Sequence, residues 1–403
     1  MTLLVQKYGG TSISTVERIQ HVAQRIMNEK KKGNSIVVVL SAMGKTTDSL
    51  LELAAQCSEK PKASDLDLLL STGEQVSVSL LSMVLRQHQF ESVAMTGWQA
   101  GIVTDEQHGD AEIISIDTKR IRDELRDGKI VIVAGFQGVS RSGNITTLGR
   151  GGSDTTAVAL AGKLDANYCE IYTDVEGVYT ADPRVVPSAR KLSRISYAEM
   201  LELSRMGACV MHPRSIEKAM RYHIPVLVRS SFNNQKGTWI IDGRSNHIDK
   251  SQTKIAHLSD RAVVTVTGKG IQDKVSDVLS CFADVDFLVT PAGDNQQISF
   301  SVSMGLLQKA LDLLEGNQKQ LGIETVSSIP DLAQISLIRS APFSTEEREL
   351  TEMLEKEDIR IHWKVNRTKR FSLAVPSDAV KKAVNLVHAH YCENLRRDEA
   401  KIQ

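Results

Sequence analysis

The chain has 403 residues, 41% hydrophobic and 24% charged, a soluble globular composition long enough for two or three domains. Its 49 basic and 49 acidic side chains cancel, so no overall field favours nucleic acid or an anionic membrane surface. Cys57, Cys169, Cys209, Cys281 and Cys392 are scattered, odd in number and never form a CxxC pair, which fits reduced cytosolic thiols better than a disulfide framework or a zinc site.

Met1–Lys7 is a short apolar stretch that runs into Gly9 and Gly10 without a basic leader or cleavage site, so no signal peptide is expected. Short aliphatic runs then alternate with amphipathic stretches up to about residue 240, the pattern of an α/β domain with a buried sheet. Leu3–Val5, Ile36–Leu40, Val93–Met95, Ile130–Ala134, Tyr168–Tyr172 and Pro225–Arg229 read as strands. Val16–Lys31, Asp48–Gln56, Ser77–Gln87, Thr118–Asp127, Thr155–Leu164 and Tyr197–Met206 read as helices, the first opened by a capping box from Ser14 to Glu17. The longest apolar runs, Ile36–Leu40 and Ile130–Phe136, are too short to span a bilayer, and a cytoplasmic address is expected. Residues 242–254 are polar and read as a linker. Beyond it the strands alternate apolar with polar, in two units, 255–323 and 324–403, each of the βαββαβ kind found in small-molecule sensing modules. An oligomerisation domain without a ligand fits the same pattern. Half-buried sheet faces and open edges in these units predict a homodimer or larger homo-oligomer.

Two glycine loops carry the chemistry. Lys7-Tyr8-Gly9-Gly10-Thr11-Ser12 joins a strand to a helix, where close backbone approach and free N–H groups favour anionic oxygens, and Lys7 is placed to neutralise a transferring phosphoryl group. A tight turn with a snorkelling lysine fits these residues equally well. The second loop, Thr146 to Asp154, gathers three glycines, Arg150 and Asp154 at one helix start; Arg150 suits a carboxylate and Asp154 could orient Lys7 or an attacking group. Gly44-Lys45-Thr46 imitates the end of a P-loop but has Val39 where the motif needs glycine. Glu74 begins a helix and by itself reads as a helix-favouring charge. Thr173 to Arg184 is an acidic loop suited to ribose and adenine or to a plain surface turn. His388 and His390 lack companion ligands for a metal.

Together the motifs KYGGTS at 7–12, LSAMGKTTDS at 40–49, STGEQ at 71–75, GFQG at 135–138, TTLGRGGSDTTA at 146–157, TDVEGVYTADPR at 173–184 and MGACVMHPRS at 206–215 resemble the aspartokinases of the amino-acid kinase family, short monofunctional bacterial type. The resemblance covers residues 1–241 and implies an open, mainly parallel eight-stranded sheet between helices, followed by two ACT-like modules. It implies phosphorylation of the side-chain carboxylate of L-aspartate by ATP carried with Mg2+, with no resident metal in the protein. By position, Lys7, Glu74 and Asp154 would be catalytic. Thr47, Glu74, Arg150, Gly151 and Ser153 would hold aspartate. Lys7, Gly9, Gly10, Ser41, Thr173, Asp174, Tyr179, Arg184 and Cys209 would hold the nucleotide, Cys209 standing where many relatives carry lysine. A silent regulatory subunit, an amino-acid sensor, or a kinase for another small carboxylate are the alternatives. The effector-contacting stretches Phe343-Ser344-Thr345 and Val365–Ser372 depart from the family pattern. Arg367, Lys369 and Arg370 are expected there to repel an amino-acid effector, and weak or absent inhibition by lysine and threonine follows.

Overall fold

The computed structural model describes residues 2–394, apart from 209, 246–247, 249–251, 280–286, 293–294 and 344–345. Cys209, Cys281, Ser344 and Thr345 therefore lie outside the described residues. The chain divides into two compact units, Met1–Val178 with Lys191–Leu201 and Cys209–Ile248, and Tyr179–Arg190 with Glu202–Ala208 and Asp249–Gln403. The expected linker at 242–254 is thus one of several crossings; two short segments upstream of it already belong to the second unit.

The first unit runs β1 (Leu3–Tyr8), α1 (Val16–Lys31), β2 (Ser35–Leu40), α2 (Thr46–Cys57), α3 (Ala63–Leu70), α4 (Thr72–Gln87), β3 (Ser92–Met95), β4 (Ile102–Thr104), β5 (Ile113–Ile116), α5 (Lys119–Arg126), β6 (Ile130–Ala134), β7 (Gln137–Ser140), β8 (Ile145–Thr147), α6 (Gly152–Leu164) and β9 (Tyr168–Thr173). It continues with β10 (Arg194–Ser196), the start of α7 (Tyr197–Arg205), α8 (Pro213–Tyr222), β11 (Val226–Ser230) and β12 (Thr238–Ile241). Eight strands form one sheet in the order β10-β12-β11-β9-β1-β2-β6-β3, parallel except where β12 runs against β11. The Val and Ile runs of β2 and β6 are buried at every residue from Ile36 to Leu40 and from Ile130 to Ala134, as strands covered on both faces must be. On one face Tyr8, Ile36, Val38, Ile130 and Ile132 pack with Ile19 and Ile26 of α1 and with Val78, Leu81 and Leu85 of α4. On the other, α6 packs on β1, β2 and β9, and 11 of its residues are buried. A second sheet, β5-β4-β7-β8, is built from strands too short to show a period.

Two expectations need correction here. The cap of α1 is Thr15, whose hydroxyl accepts from the Arg18 N–H at 3.3 Å, because Gly10–Ile13 forms a 3-10 turn that carries Ser14 out of the capping position. Residues 63–87, α3 running into α4, are apolar and long enough to cross a bilayer, but half of the most apolar window is buried inside the protein and Val78, Leu81 and Leu85 belong to the core, as in an internal helix.

The second unit runs β13 (Lys254–Gly268), α9 (Gln272–Leu279), β14 (Phe287–Ala292), β15 (Asn295–Ser303), α10 (Met304–Gly316), α11 (Gln318–Leu321), β16 (Ile323–Ile338), α12 (Glu346–Lys356), β17 (Trp363–Arg367), β18 (Arg370–Pro376) and α13 (Val380–His388). Its antiparallel sheet has the order β14-β15-β13-β16-β18-β17. β13 and β16 are each broken by an irregularity near Asp260 and Asp331, both at positive φ. Past that break, Arg261–Gly268 and the first half of β16 complete a βαββαβ module around Val264, Val266, Phe300 and Leu314. Before it, Lys254–Leu258 pairs with Gln334–Ile338, and Ile255 joins the core of Ile335, Leu337, Phe371 and Val384. The second module therefore takes its last strand from the chain that precedes the first.

The sheet face opposite the helices is covered in part, while Thr325 and Ser327 in the first half of β16 stay exposed. Val263, Leu332, Trp363, Val365 and Ala374 bury one another, and Trp363 Nε1 donates to Ser299 O at 3.3 Å, so β17 turns back over β15. Arg370 is not available to an effector: it is 8% exposed and its guanidinium lies 2.6 Å from Glu202. The expected repulsion is left to Arg367 and Lys369, both exposed.

Candidate active site

Successive residues of a strand point to opposite faces. Tyr8 packs with α1 and α4, so Lys7 emerges on the face that α6 covers. Asp154 stands in the first turn of α6, and its Oδ1 lies 2.6 Å from Lys7 Nζ, with both side chains little more than a tenth exposed. Two charges taken out of water this far persist because each faces the other. Gly151 precedes α6 at φ +69°, and a Cβ there would meet the His212 side chain at 2.2 Å, so only glycine brings this helix start so close.

The carboxyl ends of β1 and β2 open into a cleft of about 520 Å³. In the main sheet β1 lies between β2 on one side and β9 on the other, and such a reversal of strand order is where open α/β sheets bind ligands. The cleft is lined by Lys7, Gly10, Ser41, Thr47, Glu74, Arg150, Gly151, Ser153 and Asp154, nine of the residues singled out in the sequence. Gly9 sits beside it, its N–H donating to Tyr172 O at 3.2 Å, and a Cβ there would stand 3.4 Å from Lys7 Nζ.

Glu74 is 3% exposed. Its Oε1 accepts from the Ala42 N–H at 3.0 Å, while Oε2 has no hydrogen-bond partner among the described residues. Burial pushes this carboxyl up to about 8, against the pull of backbone N–H groups of Glu74 itself and Ala42. A buried acid with one unanswered oxygen at a cleft wall is built for a cationic or hydrogen-bond-donating ligand. Arg150, exposed on the facing loop, supplies the opposite charge.

The other sequence candidates are not gathered here. Thr173 ends β9 and Asp174 follows it; the Thr173 hydroxyl donates to Asp174 at 3.0 Å, and neither residue lines the cleft. Tyr179 and Arg184 belong to the second unit, where Arg184 pairs with Asp182 at 2.7 Å. His388, read as an improbable metal ligand, is buried beside Thr180 at 2.9 Å in that unit. Sequence reasoning missed Asp48, Leu51, Gly109 and Phe136 among the cleft residues. Phe136, which follows Gly135 in the GFQG motif, adopts a φ of +67°.

The sequence model of the Amino acid kinase family matches residues 2–230. An aspartokinase from Bacillus sp. (strain MGA3) is 43% identical over 401 residues, covering 96% of this chain and 97% of the relative. The chain belongs to the aspartokinases of the amino acid kinase family. Aspartokinase 2 of Bacillus subtilis (strain 168) is 45% identical over 397 residues, covering 96% of this chain and 97% of that protein. The crystal structure of E. coli aspartokinase III in complex with aspartate and ADP superposes with a TM-score of 0.80 at 25% identity, over 97% of this chain and 100% of that one. The aspartokinase architecture, a parallel-sheet kinase unit followed by an antiparallel region of ACT-like modules, is the one described above.

Proposed function

We infer that this aspartokinase transfers the γ-phosphoryl group of ATP to the side-chain carboxylate of L-aspartate, giving 4-phospho-L-aspartate for amino-acid biosynthesis. The observation that carries the reading is one cleft holding the Lys7–Asp154 pair together with Glu74 and Arg150. A silent regulatory copy would have no use for that set. The acceptor is already ionised at neutral pH, so no general base is required, and the protein's task is orientation and charge stabilisation.

Arg150 would clasp the substrate's α-carboxylate and Glu74 Oε2 would take its ammonium group, leaving the β-carboxylate toward Lys7. Lys7 would offset negative charge developing on the transferring group, held in place by Asp154. Gly9, Gly10 and Ser41 would approach the phosphates, Thr47, Gly151 and Ser153 would border the amino acid, and Thr173, Asp174, Tyr179, Arg184 and Cys209 would serve the nucleotide, as the family resemblance implies. Mg2+ would arrive with the nucleotide as part of the substrate, as the family resemblance implies. A homodimer or larger homo-oligomer remains the expected assembly, to be read from the solution mass by light scattering.

The direct test is ADP release with aspartate, glutamate and acetylglutamate as separate acceptors, with the acyl phosphate trapped as a hydroxamate. Turnover confined to aspartate is expected. Equal turnover with glutamate, or none with any of the three, would overturn the assignment.

A further inference from the structure

A buried carboxylate that neither loop motif contains lies behind the cleft. Asp67, in the middle of α3, is 1% exposed. Its Oδ1 accepts from the Thr147 hydroxyl at 2.5 Å and from the Gly109 N–H at 3.1 Å, and its Oδ2 lies 2.7 Å from His108 Nδ1. Three donors from two separate segments make four contacts with one carboxylate, counting the second contact of the Gly109 N–H to Oδ2 at 3.1 Å.

The two sides of this clasp carry different halves of the recognition site. α3 runs through Ser71 directly into α4, whose first turn bears Glu74, and Gln137 Nε2 holds that junction by donating to Ser71 O at 2.8 Å. On the other side Thr147 ends β8 three residues before Arg150. The loop between His108 and Ala111 is fastened to the same wall: the Ala111 N–H donates to Thr147 O at 2.9 Å, and Asp110 meets Arg214 twice at 2.6 Å. A Cβ on Gly149 would lie 2.4 Å from Asp110 Oδ1, so loop and arginine hairpin are in close contact.

We propose that Asp67, with His108 and Thr147, is a positioning residue that fixes the span between Glu74 and Arg150 and thereby the length of amino dicarboxylate the cleft accepts. The proposal rests on the reading of Glu74 and Arg150 as the aspartate contacts. A carboxylate buried this completely cannot shift without leaving donors unanswered, so the two walls are held at one separation. Aspartate and glutamate differ by one methylene, which a fixed pocket discriminates by roughly 10–200-fold.

The test compares Thr147→Val, Thr147→Ser and Asp67→Asn with the full-length parent, measuring KM and kcat for aspartate and glutamate and KM for MgATP. Thr147→Val and Asp67→Asn are expected to raise the aspartate KM about tenfold and to lower the aspartate-over-glutamate preference in kcat/KM about tenfold. MgATP KM should stay within about twofold. Thr147→Ser, which keeps the hydroxyl, should restore parental values. Unchanged aspartate KM and preference in Thr147→Val, or a proportional fall in all constants that Thr147→Ser does not rescue, would overturn the proposal. Arg150→Ala separates the two readings: if it leaves the aspartate KM unchanged the substrate assignment itself fails, whereas a raised KM beside a silent Thr147→Val rejects only the clasp.

Discussion

The two units bury polar groups to different ends. In the first, Lys7, Asp154 and Glu74 are charged or titratable, surround a cleft and leave at least one oxygen without a partner. In the second, the polar side chains beneath the sheet answer one another: Ser336 with Ser372 at 2.8 Å, Thr265 with Ser299 at 3.1 Å, Arg370 with Glu202 at 2.6 Å. Unfinished polar interactions are expensive to keep. Glu74 Oε2 keeps one at the cleft wall, where a ligand can complete it, whereas the hydroxyls of Ser204 and Thr253 in the second unit, unpartnered among the described residues, do not line that cleft.

Substitutions should divide along the same line. Lys7→Ala and Asp154→Ala should each lower kcat by about a hundredfold or more, with Arg150→Ala acting mainly on the aspartate KM. Near-normal turnover of Lys7→Ala in steady-state assays would break the contrast at its first member. Arg370→Ala, which removes the nearer of the two arginines beside Glu202, should cost about 1–2 kcal/mol of stability in thermal or denaturant unfolding while kcat/KM changes less than about twofold. A large catalytic loss at constant stability would move that pair into the functional class.

Glu74 adds a pH dependence. Its folded pKa of about 8 exceeds the ordinary 4.5, so its contribution to the stability of the ligand-free protein is full below 4.5 and is lost as pH rises toward 8. Aspartate's ammonium needs the ionised form, so affinity should climb with pH up to about 8, by as much as about tenfold per unit, with proton release on binding near neutrality. Calorimetry in buffers of different ionisation enthalpy reads that proton, and Glu74→Gln should abolish both effects. The smallest change expected is Ser336→Ala, about 1 kcal/mol in unfolding and nothing in kinetics.

How far the sequence could be read follows from what each segment advertises. α1 and β6 were legible to the residue, because a 16-residue amphipathic period and an unbroken Ile/Val run have no rival interpretation. β4, β7 and β8 are three or four residues long, too brief for any period, and α8 begins at Pro213 inside a loop-like stretch of His and Arg. Within the site, the glycine loops around Lys7 and Arg150 could be recognised because their composition serves no simple turn. Glu74 looked like an ordinary helix start, since its burial depends on α4 entering the core below it. Asp67 sits in the leucine-rich ASDLDLLL, where nothing shows that one acid faces inward and the other does not.

The long strands of the second unit have a further consequence. β13, of 15 residues, and β16, of 16, each contribute their two halves to two different hydrophobic cores. Neither core can open without disturbing hydrogen bonds that run into the other, so amide exchange through β13 and β16 should occur in one concerted event with a single opening free energy. Any small molecule that tightens one module would then slow exchange in both.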